Sequence, residues 1–91
     1  MHTKSAAKRL RQSLERRDRN RAVRRSLRTQ CRKVREAVAA GDAPKAESEL
    51  RLAATKLDRA ATRGTIHPNS AARTKSRLSA AIKSLKQQDA V

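Results

Sequence analysis

KSAAKRLRQSLERRDRNRAVRRSLRTQCRKVR, Lys4–Arg35, holds fourteen of the chain's 24 Lys and Arg residues and only two acids, Glu15 and Asp18. It contains no Gly or Pro, and its residues favour helix, so it predicts one continuous helix of about 30 residues, roughly 45 Å long. Glu15 and Asp18 can each pair with one neighbouring Arg, which leaves the other bases without a partner. A helix that repels itself in this way predicts a polyanionic partner, and nucleic acid before any other.

Composition limits the size of the core. The chain has 91 residues, a net charge of +16, fourteen Leu, Ile and Val residues, and no Phe, Tyr or Trp. Such a chain forms one small domain over residues 1–91 that is marginally stable alone and is tightened by binding. The single Cys31 excludes an internal disulfide. No apolar run approaches the ~18 residues that span a membrane, so no membrane association is expected.

Two glycines divide the chain into helical segments. Gly41 and Gly64 are placed to supply the left-handed position that ends a helix. Asp42 is a capping residue for the second helix, and Asn69 or Ser70 can cap the third. The predicted segments are a disordered start at 1–3, helix one at 4–40, helix two at 43–63 and helix three at 70–87.

The apolar stripe of the first helix begins only at its middle. Leu10 and Leu14 point away from that stripe by about 100° or more at 3.6 residues per turn. The C-terminal half therefore belongs to a bundle and the N-terminal half projects beyond it. Leu10 and Leu14 then either pack on the partner or cover a return of the chain. The stripe itself consists of Val23, Leu27, Cys31, Val34 and Val38.

The other two helices each carry one inward apolar face. Short connections between three amphipathic helices make neighbouring helices antiparallel. The predicted fold is therefore all-α, an antiparallel three-helix bundle with a long, basic first helix projecting beyond it. The inward positions are Ala46, Leu50, Ala53, Leu57 and Ala60 or Ala61 in helix two, and Ala71, Leu78, Ala80 or Ala81, Ile82 and Leu85 in helix three.

Catalytic and metal chemistry lack the residues they need. Cys31 lies in the apolar stripe, where a small core residue is expected. There is no Cys/His spacing for zinc, and both glycines end helices rather than form a phosphate loop. We therefore expect no enzyme, no cofactor, no metal and no small-molecule substrate. His67 is different, because it lies beside a helix N-terminus with Asn69 and Arg73, which predicts a second nucleic-acid contact.

The residue types indicate how nucleic acid is recognised. Without aromatic side chains the chain cannot stack unpaired bases on aromatic rings. The apolar repeat after the basic region is too short for a basic zipper. Sixteen of the 24 bases are Arg, whose guanidinium groups bind phosphates through paired hydrogen bonds. Such a basic helix suits a junction of RNA helices, and a histone-like nucleoid DNA-binding protein is the alternative that composition leaves open.

Three stretches also resemble a known family. They are KSAAKRLRQSLERRDRNRAVRRSLRT at Lys4–Thr29, AAGDAPKAESEL at Ala39–Leu50 and GTIHPNSAARTKSRL at Gly64–Leu78. In this order and spacing the chain resembles bacterial small-subunit ribosomal protein twenty. The third stretch is the most specific, since Gly-x-Ile-His-x-Asn-x-Ala-Ala-Arg-x-Lys-Ser is not a generic basic pattern.

The resemblance implies a structural protein of the cytoplasmic ribosome. Such a protein is a three-helix bundle that binds 16S ribosomal RNA, joins the 5′ domain to the long penultimate helix and helps the 30S subunit assemble. The implied contacts in the first helix, which its charge also favours, are Lys4, Ser5, Lys8, Arg9, Arg11, Gln12, Arg16, Arg17, Asn20, Arg21, Arg24, Arg25 and Arg28. Those in the second cluster are His67, Asn69, Arg73, Lys75, Ser76 and Arg77.

Overall fold

Three α-helices make up the computed structural model, which describes residues 4–89. They are α1 (Lys4–Ala39), α2 (Ala43–Thr62) and α3 (Pro68–Asp89). The predicted all-α, three-helix architecture is confirmed, and no strand occurs within the described part of the chain. The start predicted at 1–3 lies outside the described residues.

Both turns between helices use the same glycine-dependent geometry. Gly41 and Gly64 have φ angles of +75° and +79°, in the left-handed region that other residues avoid. After α1 the Gly41 N–H donates to the Val38 carbonyl and the Asp42 N–H donates to the Ala37 carbonyl, each at 3.0 Å. These paired bonds satisfy carbonyls that the end of a helix leaves free. The Asp42 carboxylate then accepts from the Lys45 N–H at 3.2 Å and caps α2.

The third helix begins two residues earlier than the sequence suggested. Pro68 is its first residue, because a fixed φ and a missing N–H do no harm in the first turn. His67 supplies the cap, since its Nδ1 accepts from the Asn69 N–H at 3.1 Å. The prediction that Asn69 or Ser70 caps this helix is therefore wrong. Both lie in its first turn.

The core is small and rich in alanine. Val34, Ala46 and Ala53 are fully buried, and they pack with Leu78 and Ile82 into one cluster that joins all three helices. Alanine offers little apolar area but lets helix backbones approach closely. Four further buried residues pack together nearer the projecting end of the bundle: Leu27, Leu57, Ala60 and Ala71.

One buried polar residue links α1 to α2. Gln30 is only 3% exposed, and its Nε2 donates to the Glu49 carbonyl at 2.9 Å and to the Glu49 carboxylate at 2.5 Å. Buried amides must find such partners, because an unpaired one costs about 1–3 kcal/mol. Gln30 lies three residues after Leu27 and four before Val34, so helical spacing places it on the inward face. The predicted apolar stripe did not include it.

The N-terminal part of α1 projects beyond the bundle, as predicted. All residues from Lys4 to Arg19 are exposed, a length of about 24 Å at 1.5 Å per residue. The molecule is correspondingly elongated, with extents of 72 × 21 × 13 Å. Leu10 and Leu14 are 63% and 47% exposed, so no segment of the described chain returns to cover them.

We expect Leu57→Ala to lower the free energy of unfolding by about 2–5 kcal/mol, because it opens a cavity in a core with few large side chains. Leu57 is 3% exposed, whereas Leu52 on the same helix is 52% exposed. The matched control Leu52→Ala should change the free energy of unfolding by no more than about 0.5 kcal/mol. Urea denaturation followed by circular dichroism measures both, and equal losses would contradict the assigned core.

Candidate nucleic-acid interface

The projecting helix carries positive charge that its own chain does not neutralise. Eleven bases lie between Lys4 and Arg28, and none of them forms an ion pair with a described carboxylate. The pairs that the sequence allowed for Glu15 and Asp18 are also not formed within residues 4–89. Unpaired guanidinium and ammonium groups on an exposed helix create a strong positive field, which attracts polyanions.

The predicted contact residues of α1 surround the helix rather than form one stripe. Neighbours such as Arg16 and Arg17, or Arg24 and Arg25, point about 100° apart around the helix axis. A basic surface on several sides can contact more than one nucleic-acid segment at once. The exposed members of the predicted set are Lys4, Ser5, Lys8, Arg9, Arg11, Gln12, Arg16, Arg17, Arg21, Arg24, Arg25 and Arg28, and Asn20 is half-buried.

Asn20 and Arg24 hold the loop that precedes α3. The Thr65 hydroxyl donates to Asn20 Oδ1 at 3.2 Å, and the Arg24 guanidinium donates to the Thr65 carbonyl at 3.2 Å. Thr65 itself is buried, at 6% exposed. The base of the projecting helix and the second predicted cluster are thus parts of one continuous surface.

Thr65 was not among the predicted functional residues. Its position directly after the helix-ending Gly64 was visible in the sequence, but its partners lie about 40 residues earlier in the chain, at Asn20 and Arg24. Such a pairing depends on how the loop folds against α1, so no local sequence pattern predicts these hydrogen bonds.

The second cluster places most of its predicted members on the exposed side of α3. Asn69, Arg73 and Ser76 follow one another at spacings of four and three, so they share one helix face, and all three are exposed. The Arg73 Nε lies 3.5 Å from the Asn69 carbonyl. His67 is exposed beside them, and because its Nδ1 accepts the capping bond, its Nε2 is the ring nitrogen left for an external partner. Arg77 borders this face on the side toward α1.

Lys75 lies apart from the rest of the second cluster. Its Nζ is 2.6 Å from the Asp58 carboxylate, so its side chain points toward α2. The side chains of Lys75 and Asp58 are 37% and 61% exposed, and exposed ion pairs contribute only about 0–1 kcal/mol. The structure therefore does not bring Lys75 together with Asn69, Arg73 and Ser76.

The described residues form neither a site with a reactive thiol nor a metal-binding group. Burial raises the pKa of the Cys31 thiol, and the nearby positive charge of Arg35 offsets only part of that rise, so the thiol stays protonated at neutral pH. No group of three or more His, Cys, Asp or Glu residues in the described chain could hold a metal ion. What the surface can do chemically is bind anions.

Comparisons with known proteins point the same way. The sequence model of the family described as ribosomal protein S20 matches residues 1–83. Small ribosomal subunit protein bS20 of Rhodopirellula baltica is 52% identical over 86 residues, covering 94% of this chain and 96% of the relative. The proteins of the same name from Mycolicibacterium smegmatis and Bordetella avium are 51% and 49% identical. They cover 90% and 92% of this chain, and 95% and 97% of their own lengths.

We expect Thr65→Val to loosen the loop, because it removes the hydroxyl that bonds Asn20 and keeps the shape of the side chain. The free energy of unfolding should fall by about 1 kcal/mol, and amide hydrogen exchange should quicken in the loop residues 64–67. Thr62→Val is the matched control, since the Thr62 hydroxyl bonds only the Asp58 carbonyl of its own helix. Unchanged exchange in the loop of Thr65→Val would contradict the linking role of Thr65.

Proposed function

The chain belongs to the ribosomal protein S20 family, and from this premise we propose that it binds 16S ribosomal RNA directly and holds RNA helices together during small-subunit assembly. Its role is structural, as a component of the small ribosomal subunit, and it is not an enzyme. No helix among residues 4–89 is long and apolar enough to cross a membrane. We place its action on the ribosome in the cytoplasm.

The observation that carries the proposal is the projecting part of α1. Eleven bases between Lys4 and Arg28 have no carboxylate partner in the described chain, and every residue from Lys4 to Arg19 is exposed. Arg and Lys that neutralise phosphates release condensed counterions, which favours binding. An exposed helix with cations on several sides fits a place where RNA strands converge.

The second cluster gives the protein a second point of attachment. The Asn20–Thr65–Arg24 bonds fix this cluster at the base of the projecting helix, about 24 Å from Lys4 at 1.5 Å per residue. Two anion-binding regions at a fixed separation can hold two RNA segments in a defined arrangement. We assign these segments to the 5′ domain and the long penultimate helix of 16S RNA.

A histone-like DNA-binding protein would use the same charge. Binding to a folded 5′-domain fragment of 16S RNA and to a DNA duplex of equal length, across a salt series, separates the two functions. Both complexes weaken as salt rises, because both use phosphates. RNA binding that persists at salt which has released the duplex supports the proposal, and coincident curves favour the DNA-binding alternative.

Reversing Arg9, Arg16 and Arg17 to Glu should weaken binding to the 5′-domain RNA by about 100-fold or more at near-physiological salt, because phosphate contacts are replaced by repulsion. These residues lie outside the bundle, so the thermal unfolding transition of the bundle should stay at the same temperature. Filter binding measures the affinity and circular dichroism checks the fold.

A charge-matched control tests whether position matters. Lys45, Arg51 and Lys83 are exposed on α2 and α3, away from the projecting helix. Reversing these three to Glu gives the same net charge and should cost much less affinity. Equal losses in the two triple variants would show that the protein binds RNA through its overall charge alone.

Leu10 and Leu14 give a further prediction. They are the large apolar side chains exposed on the projecting helix, and we propose that they pack on ribose and base surfaces beside the bound phosphates. Leu10→Ser with Leu14→Ser should weaken RNA binding by roughly tenfold without changing the salt slope, because no cation is lost. Unchanged RNA affinity together with impaired incorporation into reconstituted 30S particles would assign these leucines to a protein neighbour.

A further inference from the structure

A groove of about 730 Å³ lies between α1 and α3, beside the loop at Thr65–His67. Its floor is apolar and is formed by Leu27, Leu57 and the half-buried Ile66. Of the residues that line the groove, the contact set predicted from the sequence includes only Arg24 and Arg28.

The α1 side of the groove is lined with arginine. Arg24, Arg28, Arg32 and Arg35 follow one another at spacings of four, four and three, which keeps them on one side of the helix. Three of these guanidinium groups have no carboxylate partner in the described chain, and Arg32 is 3.6 Å from Glu36 in an exposed pair. No acidic residue lines the groove.

The α3 side supplies neutral hydroxyl groups. Ser70 and Thr74, four residues apart, face the arginines across the groove. Arg77 lies three residues after Thr74 and continues that side toward the far end of α3. Hydroxyls opposite guanidinium groups offer hydrogen bonds to a sugar hydroxyl or a base edge, while the arginines serve a phosphate.

These three features together match one kind of ligand. Leu27 and Leu57 are already buried, so a phosphate alone would use the arginines and leave the half-buried Ile66 as the apolar part of the floor that water can still reach. A nucleotide has an anionic group, a polar sugar and a flat apolar base, and Arg guanidinium planes can stack on such a base where aromatic residues are lacking. An acidic peptide would satisfy the arginines, but only a peptide that also carries a suitably placed apolar side chain would reach the floor, whereas every nucleotide combines the two groups.

We propose that the groove between α1 and α3 binds an unpaired nucleotide of the RNA partner, with its phosphate on the Arg24–Arg35 side and its base on Ile66. This inference rests on the proposed function and extends it from backbone binding to the capture of a single extruded residue. Arg32 and Arg35 thereby join the interface. The contacts predicted for α1 from the sequence ended at Arg28.

The first test compares two charge-matched double variants in filter binding to the 5′-domain RNA. Arg32→Gln with Arg35→Gln removes two arginines from the groove, while Lys45→Gln with Arg51→Gln removes two exposed bases from α2. The groove variant should bind at least about fivefold more weakly than the control. Equal affinities of the two variants would overturn the proposal, whereas failure of the wild-type chain to bind RNA would instead overturn the proposed function.

The second test fills the groove without changing charge. Thr74→Phe places a ring among the lining residues, and the matched Thr55→Phe places one on the exposed side of α2. We expect at least about fivefold weaker RNA binding for Thr74→Phe only, with both variants folded by circular dichroism. Equal RNA affinities would overturn the proposal. If Thr74→Phe then also impaired incorporation into 30S particles, a protein segment would occupy the groove.

Discussion

Mutual repulsion among the bases of α1 is the constraint on which the rest of the structure depends. From Lys4 to Arg28 the described chain supplies no compensating ion pair, and every residue from Lys4 to Arg19 is exposed. Isolated helices gain little from intrinsic propensity, and like charges at helical spacing reduce that gain. The projecting helix is therefore stabilised mainly by whatever neutralises it, so its folding and its binding are linked.

The contacts that hold the bundle together against this repulsion are few and small. Alanines at Ala46, Ala53 and Ala60 bring α2 close to its neighbours, and the Gln30–Glu49 bonds link α1 to α2 where large apolar side chains are scarce. Each contact contributes little, so we expect a small free energy of unfolding, which a ligand that binds the native state would raise by mass action. A core of this size serves to hold the base of α1 and the loop at Thr65 in place.

Features that depend on neighbouring residues could be predicted from the sequence, and features that depend on distant ones could not. Gly41, Gly64 and Asp42 mark helix ends through local backbone chemistry, and the spacing of Leu27, Cys31 and Val34 defines a packed face. The cap by His67 was missed because Asn and Ser are the commoner capping residues. The Thr65 bonds and the Lys75–Asp58 pair join residues 17 to 45 positions apart, which no periodicity reveals.

Arg24 holds the loop at Thr65 and also belongs to the proposed RNA interface. A guanidinium group has five N–H donors, and the bond to the Thr65 carbonyl uses one of them, so the others remain available to a phosphate. A phosphate bound there would sit beside the loop that carries His67. Asn20, one turn earlier, holds the same loop because its Oδ1 accepts a hydrogen bond from the Thr65 hydroxyl. Because both bonds require α1 to be helical at these positions, an RNA that ordered the projecting helix would also order the second cluster. Under the proposed function, binding at either region would thus favour binding at the other.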